Sequence, residues 1–92
     1  MSKMYAADIT ADGATKADVL GRSLIVMLGG SFGSGTLSVE LWSDARGEYR
    51  TVAAFTAVTT SAQEVYLGAG QTFRFVMAGS TTPSLEIDYW FI

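Results

Sequence analysis

The sequence predicts an all-β chain: a single antiparallel β-sandwich, jelly-roll-like, with about seven to eight short strands across residues 1–92. Three observations carry this reading. Apolar and polar residues alternate with a period of two along several stretches, as in strands with one covered face. Gly, Ser and Thr gather between those stretches and punctuate the chain at roughly 8–12-residue intervals. A length of 92 residues leaves no room for the crossover helices of a parallel sheet, nor for two separate cores.

Met4–Ile9 reads as the first strand, closed by Thr10-Ala11-Asp12-Gly13, where Asp-Gly supplies a tight turn. Lys16–Leu20 has two readings: Thr15 caps one helical turn that ends at Gly21, or the segment is a short edge strand. Ser23–Leu28 is apolar at consecutive positions, which predicts cover on both faces. Gly29–Gly35 then places four glycines in seven residues and predicts a tight connection between strands. A Walker phosphate loop needs Gly-Lys-Ser/Thr opening a helix, whereas here Gly35 leads through Thr36 into a strand pattern. The dinucleotide fingerprint fails for the same reason. Phe32, in the middle of the segment, is either a core plug or an exposed contact.

Leu37, Val39 and Leu41 then face one side, with Ser38, Glu40 and Trp42 on the other. Asp44-Ala45-Arg46-Gly47 is a turn with Asp first and Gly last. Tyr49–Val58 combines β-branched residues and Phe55 with alanines that also suit a helix; the neighbouring hairpin pattern favours a strand. Val65 and Leu67 share one face of Gln63–Leu67, which ends at Gly68-Ala69-Gly70. Phe73, Phe75 and Met77 alternate with Arg74 and Val76, and Gly79–Ser84 forms a loop whose Pro83 cannot join a ladder. In the last strand Leu85, Ile87, Tyr89 and Phe91 share one face, and Glu86, Asp88, Trp90 and Ile92 the other.

Composition narrows the chemistry. The chain contains no Cys and no His, so disulfides, thiol nucleophiles, imidazole bases and the commonest metal ligands are all excluded. It therefore reads as a non-enzyme, with no catalytic residue, metal or cofactor. Glu86 and Asp88 stand about 6–7 Å apart by strand rise, a spacing of interest for glycosidic acid–base work. A solvated face, or salt bridges to Arg74 on an adjacent strand, accounts for them more simply. The net charge is −3, and the Lys and Arg residues are scattered among acidic ones. Nucleic-acid binding, which rests on phosphate neutralisation, is not expected. The start of the chain has no apolar signal-peptide core, and its longest aliphatic run, Leu24–Leu28, is far short of the ~20 residues that span a bilayer. Synthesis in the cytoplasm without a membrane anchor is the expectation.

A surplus of apolar surface remains. Apolar residues make up 49% of the chain against 16% charged, more than one small sandwich readily hides. Trp42, Tyr66 and Trp90 fall on the polar phases of their strands. Such rings serve at protein interfaces, as flat platforms for a sugar, or as core where a sandwich end buries both phases. The run Tyr89-Trp90-Phe91-Ile92 carries no polar residue, and either pairs inside the sandwich or docks on a neighbouring subunit. The candidate protein-interface residues are Phe32, Trp42, Tyr66, Tyr89, Trp90, Phe91 and Ile92.

The segment Gly30-Ser31-Phe32-Gly33-Ser34-Gly35-Thr36-Leu37-Ser38-Val39-Glu40-Leu41 resembles a pattern in small tailed-bacteriophage virion proteins, where a Gly-x-Phe-Gly-x-Gly-Thr run leads into an alternating strand. Ile9-Thr10-Ala11-Asp12-Gly13, Leu67-Gly68-Ala69-Gly70-Gln71-Thr72-Phe73-Arg74-Phe75 and Ala78-Gly79-Ser80 extend the likeness. Two features depart from it: Ser43-Asp44-Ala45-Arg46-Gly47 replaces a plain Asp-Gly turn, and Tyr49 stands where the pattern usually has Trp. The resemblance implies a noncatalytic virion protein, foremost a capsid decoration (cement) protein that binds the major capsid protein and copies of itself as a homo-oligomer. A tail or fibre component is the alternative within that class. A carbohydrate-binding module that meets a surface glycan through Trp42, Tyr66 or Trp90 is the alternative outside it.

Overall fold

A computed structural model describes residues 3–15, 22–68 and 72–92. The chain forms eight strands: β1 Tyr5–Ile9, β2 Gly13–Ala14, β3 Ser23–Ser31, β4 Thr36–Ser43, β5 Glu48–Phe55, β6 Gln63–Tyr66, β7 Phe73–Ala78 and β8 Ser84–Phe91. The ambiguous segment Lys16–Leu20 lies outside the described residues. No helix among those described is long and apolar enough to cross a membrane.

Two four-stranded antiparallel sheets result. The front sheet has the order β1-β8-β3-β6 and the back sheet β2-β7-β4-β5. Four pairs are nested: β4 with β5, β3 with β6, β2 with β7 and β1 with β8. The pairs β3–β8 and β4–β7 then join them into two sheets. This is the winding of an eight-stranded jelly roll. Asp12-Gly13 is accordingly not a hairpin turn but the corner where the chain leaves the front sheet for the back one. The Asp44–Gly47 turn closes the β4–β5 hairpin as expected, with the Ser43 carbonyl accepting from Gly47 N–H at 2.8 Å.

The alternation sorts as the period-two pattern requires. Leu24, Val26, Leu37, Val39, Val65, Leu67, Phe73, Phe75, Met77, Leu85 and Ile87 all point inward and are buried. Aromatic rings dominate one end of the core. Phe73 meets Phe75 and Phe91 edge-on at 5.5 and 5.6 Å, and Tyr89 stacks on Tyr5 at 5.4 Å. Edge-to-face contacts of this kind suit the ring quadrupoles and add to the burial of area.

β3 runs on to Ser31, so much of the glycine-rich segment is strand, and only residues 32–35 turn. Phe32 is buried in the core. Gly30 and Gly33 have positive φ, +83° and +58°, and a Cβ on either would overlap a carbonyl oxygen, of Ser84 or Thr81 respectively. Close backbone approach to the 79–84 loop is therefore what these glycines supply; Thr81 N–H donates to the Gly33 carbonyl at 2.8 Å. Gly33→Ala is expected to cost about 3 kcal/mol or more, because strain and overlap add. Gly47→Ala, at φ +64° with open space around it, should cost only about 1 kcal/mol. Urea midpoints of the two variants check the contrast.

The corner before β2 is tied to the loop between β7 and β8. Asp12 Oδ1 accepts from the Ser80 hydroxyl and, at 3.1 Å, from Ser80 N–H. The Ser80 hydroxyl, then the Ser80 N–H, hold the Asp12 carboxyl below the usual aspartate value, opposed by desolvation and helped by the Gly79 backbone. A lowered folded-state pKa stabilises the fold above the ordinary aspartate value, and that contribution is lost as pH falls through the folded value. Asp12→Asn should therefore lower Tm near neutral pH, with the gap to wild type closing in acid. Thermal melts along a pH series measure this.

Candidate functional site: the outer face of the front sheet

Antiparallel register lines up the outward side chains of β6, β3 and β8 in rows. Tyr66 lies opposite Ser23, and Ser23 exchanges backbone hydrogen bonds with Ile92 at 2.9 and 3.0 Å. One row further along, Glu64 and Trp90 both flank Ile25. Met27 stands next on β3, opposite Asp88. Side chains so placed are close neighbours on one face. The result is an apolar patch of Ile25, Met27, Tyr66, Trp90 and Ile92, with buried Ser23 as the short residue between Tyr66 and Ile92. Tyr66 and Ile92 are 71% and 63% exposed, the two most exposed large apolar residues among those described.

Toward the other end the same face turns acidic. Asp8 lies directly opposite Glu86, and Asp88 is two residues along β8. No Lys or Arg occupies an outward register position on β1, β3, β6 or β8. Like charges placed directly opposite repel, so the acidic end gains from a cationic neighbour. Among the described residues no group of three or more acidic side chains is arranged to hold a metal ion. The face thus has an aromatic and aliphatic centre and an acidic border.

Three sequence expectations for this site need correction. Phe32 and Phe91 are 6% and 8% exposed, and Tyr89 is half-buried on the inward face beside Tyr5 and Phe75. Tyr89 and Phe91 face inward because the odd and even phases of β8 fall on opposite sides of the sheet, and Phe32 folds from the β3–β4 turn into the core. The double cover expected for Ser23–Leu28 is also absent: Leu24, Val26 and Leu28 are buried, but Ile25 and Met27 lie half-buried on the outer face. Arg74 pairs with neither Glu86 nor Asp88. It sits in the back sheet, opposite Glu40 on β4.

Trp42 points outward as its phase requires, but on the opposite side of the molecule from Tyr66 and Trp90. There it packs edge-on against Tyr49 at 5.1 Å, and its indole N–H donates to Asp44 Oδ1 at 2.8 Å. Arg74 lies over the Tyr49 ring at 3.9 Å and donates through Nε to Glu40 Oε1 at 2.8 Å. These contacts form a self-contained chain of rings and charges, with each ring engaged by a neighbour. Cation–π stacking on Tyr49 predicts a coupling of about 0.5–1 kcal/mol between Arg74→Met and Tyr49→Leu. A double-mutant cycle by chemical denaturation measures it.

Ile25 and Met27 are the members of the front patch that sequence reasoning missed. Their signal was present, since a consecutive apolar run also arises when one face is core and the other an interface. Comparison with protein-family models, curated proteins and solved structures finds no match to this chain.

Proposed function

We propose that this protein is a noncatalytic structural subunit of a tailed-bacteriophage virion, a decoration protein that binds and stabilises the capsid shell. The observation that carries the docking part is the outward-facing patch of Ile25, Met27, Tyr66, Trp90 and Ile92 on one sheet face, with Tyr66 and Ile92 exposed. Covering it removes apolar and aromatic area from water, and rigid rings lose little entropy when held. The virion assignment comes from the resemblance of Gly30–Leu41 and its flanking segments. The jelly-roll winding itself does not choose a function, since capsid proteins, lectins and cupins share it.

Mechanistically, a sandwich seated across a seam between shell subunits buries area on each of them. Binding to the assembled form and not to free subunits then shifts the equilibrium toward the shell by mass action. The acidic border of Asp8, Glu64, Glu86 and Asp88 selects seams lined with Lys or Arg and repels other acidic surfaces.

Cosedimentation with assembled shells at micromolar concentration tests the reading. The wild-type protein should pellet with shells, and Tyr66→Ser with Trp90→Ser should weaken binding by about tenfold or more while the circular dichroism stays native. Protein that remains in the supernatant sinks the decoration reading. Pelleting with purified tails instead of shells moves the protein to the tail.

A further inference from the structure

We propose that β5 is a self-association edge, pairing antiparallel with β5 of a second copy so that two back sheets become one continuous eight-stranded sheet. The proposal is independent of the docking face described above, which lies on the other sheet. The four sheet edges, β1, β6, β2 and β5, are not alike. β1 carries Asp8, β2 has two residues and β6 four with Glu64 among them. Short length and charge are the usual ways a protein keeps an edge from pairing. β5 runs for eight residues at the end of its sheet. From Thr51 to Gln63 the chain carries no charge and no proline. Its two charges, Glu48 and Arg50, sit at the start of the strand and pair with each other, and a bulge opposite Val39 and Glu40 is its other blunting device.

The backbone of β5 has groups to offer. Trp42 N–H donates to the Thr72 carbonyl, toward β7. Strand alternation therefore turns Leu41 and Arg50 toward each other and leaves the N–H and C=O groups of Tyr49 and Thr51 facing out of the sheet. Among the described residues, no hydrogen bond beyond the strand ladders reaches them. Val52, the extra residue of the bulge, and Val58, three residues past the strand, are 44% and 49% exposed. They are two of the five exposed large apolar side chains among the described residues.

A second copy fits this edge better than a foreign strand. Under a two-fold axis close to Val52, each edge meets its own image, so free donors on one face free acceptors on the other. That register sets Glu48 and Arg50 against uncharged residues of the copy. The two charges are already paired with each other at 3.0 Å, so no like charges meet. The paired strands extend about 27 Å, with Tyr49, Val52 and Phe55 beside the seam. A single pair of edge strands makes a small interface, at the weak end of specific association.

The chain has no Cys, so a single introduced cysteine reports one position. Sedimentation velocity of the wild type should show the mass rising with concentration from 9.8 kDa toward twice that value. Val52→Lys should stay at the monomer mass with native circular dichroism. Val52→Cys should form a covalent dimer on mild oxidation, whereas Ala6→Cys on β1 should not. Trp90→Ser, which tests the docking face, should dimerise as the wild type does. A wild type that stays monomeric at about 100 µM, a Val52→Lys protein that still associates, or cross-linking through Ala6→Cys as readily as through Val52→Cys overturns the proposal.

Discussion

The register of β8 holds this molecule together. β8 lies between β1 and β3 and pairs with both, from Leu24 opposite Phe91 to Ser31 opposite Ser84 on one side and from Tyr5 opposite Tyr89 to Ile9 opposite Leu85 on the other. A slip of one residue would send Glu86, Asp88 and Trp90 into the core and turn Leu85, Ile87 and Tyr89 out to water. Burying carboxylates without partners is far costlier than any gain from the slip. One hydrophobic alternation thus sets three strands at once. The same register displays Trp90 and Ile92 beside Ile25 and Tyr66. The core and the outer apolar patch are two sides of one constraint.

The nested winding explains why so little of this is local. Among the described residues, β4 and β5 are the only consecutive strands that pair with each other. β1 meets β8 across nearly the whole chain, and β2 meets β7 from a corner held by Asp12 and Ser80. Such topologies settle their loop-closure entropy before non-local contacts repay it, so they fold slowly and expose edges meanwhile. Close approach at Gly30 and Gly33 lets the 79–84 loop seat against the β3–β4 turn, which aligns the start of β8. Charge on β1 and β6 and the shortness of β2 blunt three edges. The fourth edge, β5, is long, and its two charges, Glu48 and Arg50, sit together near its start and pair with each other.

Much of the fold was legible in the residues. Alternation in Leu37–Trp42, Phe73–Met77 and Leu85–Ile92 assigned strands and their inward faces correctly, because period two leaves one choice once a face is apolar. The turn at Asp44–Gly47 was equally plain. Other features were not. The Asp12-Gly13 pair has turn chemistry whether the chain doubles back or crosses between sheets. Phe32 has no alternating neighbours to assign it a side, and only its depth in the core decides. The salt-bridge partner of Arg74 depends on which strand lies beside β7, and the winding places Glu40 there.

Alone, then, the sequence determined the class of fold, the strand faces and the exclusion of thiol and imidazole chemistry, since each follows from residue type and period. Tertiary structure decided which outward residues meet. Tyr66, Ile25, Trp90 and Ile92 come from three separate strands, and only the β6-β3-β8 order gathers them into one patch, while Trp42, of the same apparent class, is carried to the opposite face. The physical reason is that alternation fixes the side of a sheet within one strand. Neighbours across strands are chosen by non-local pairing, and a single strand's sequence does not encode them.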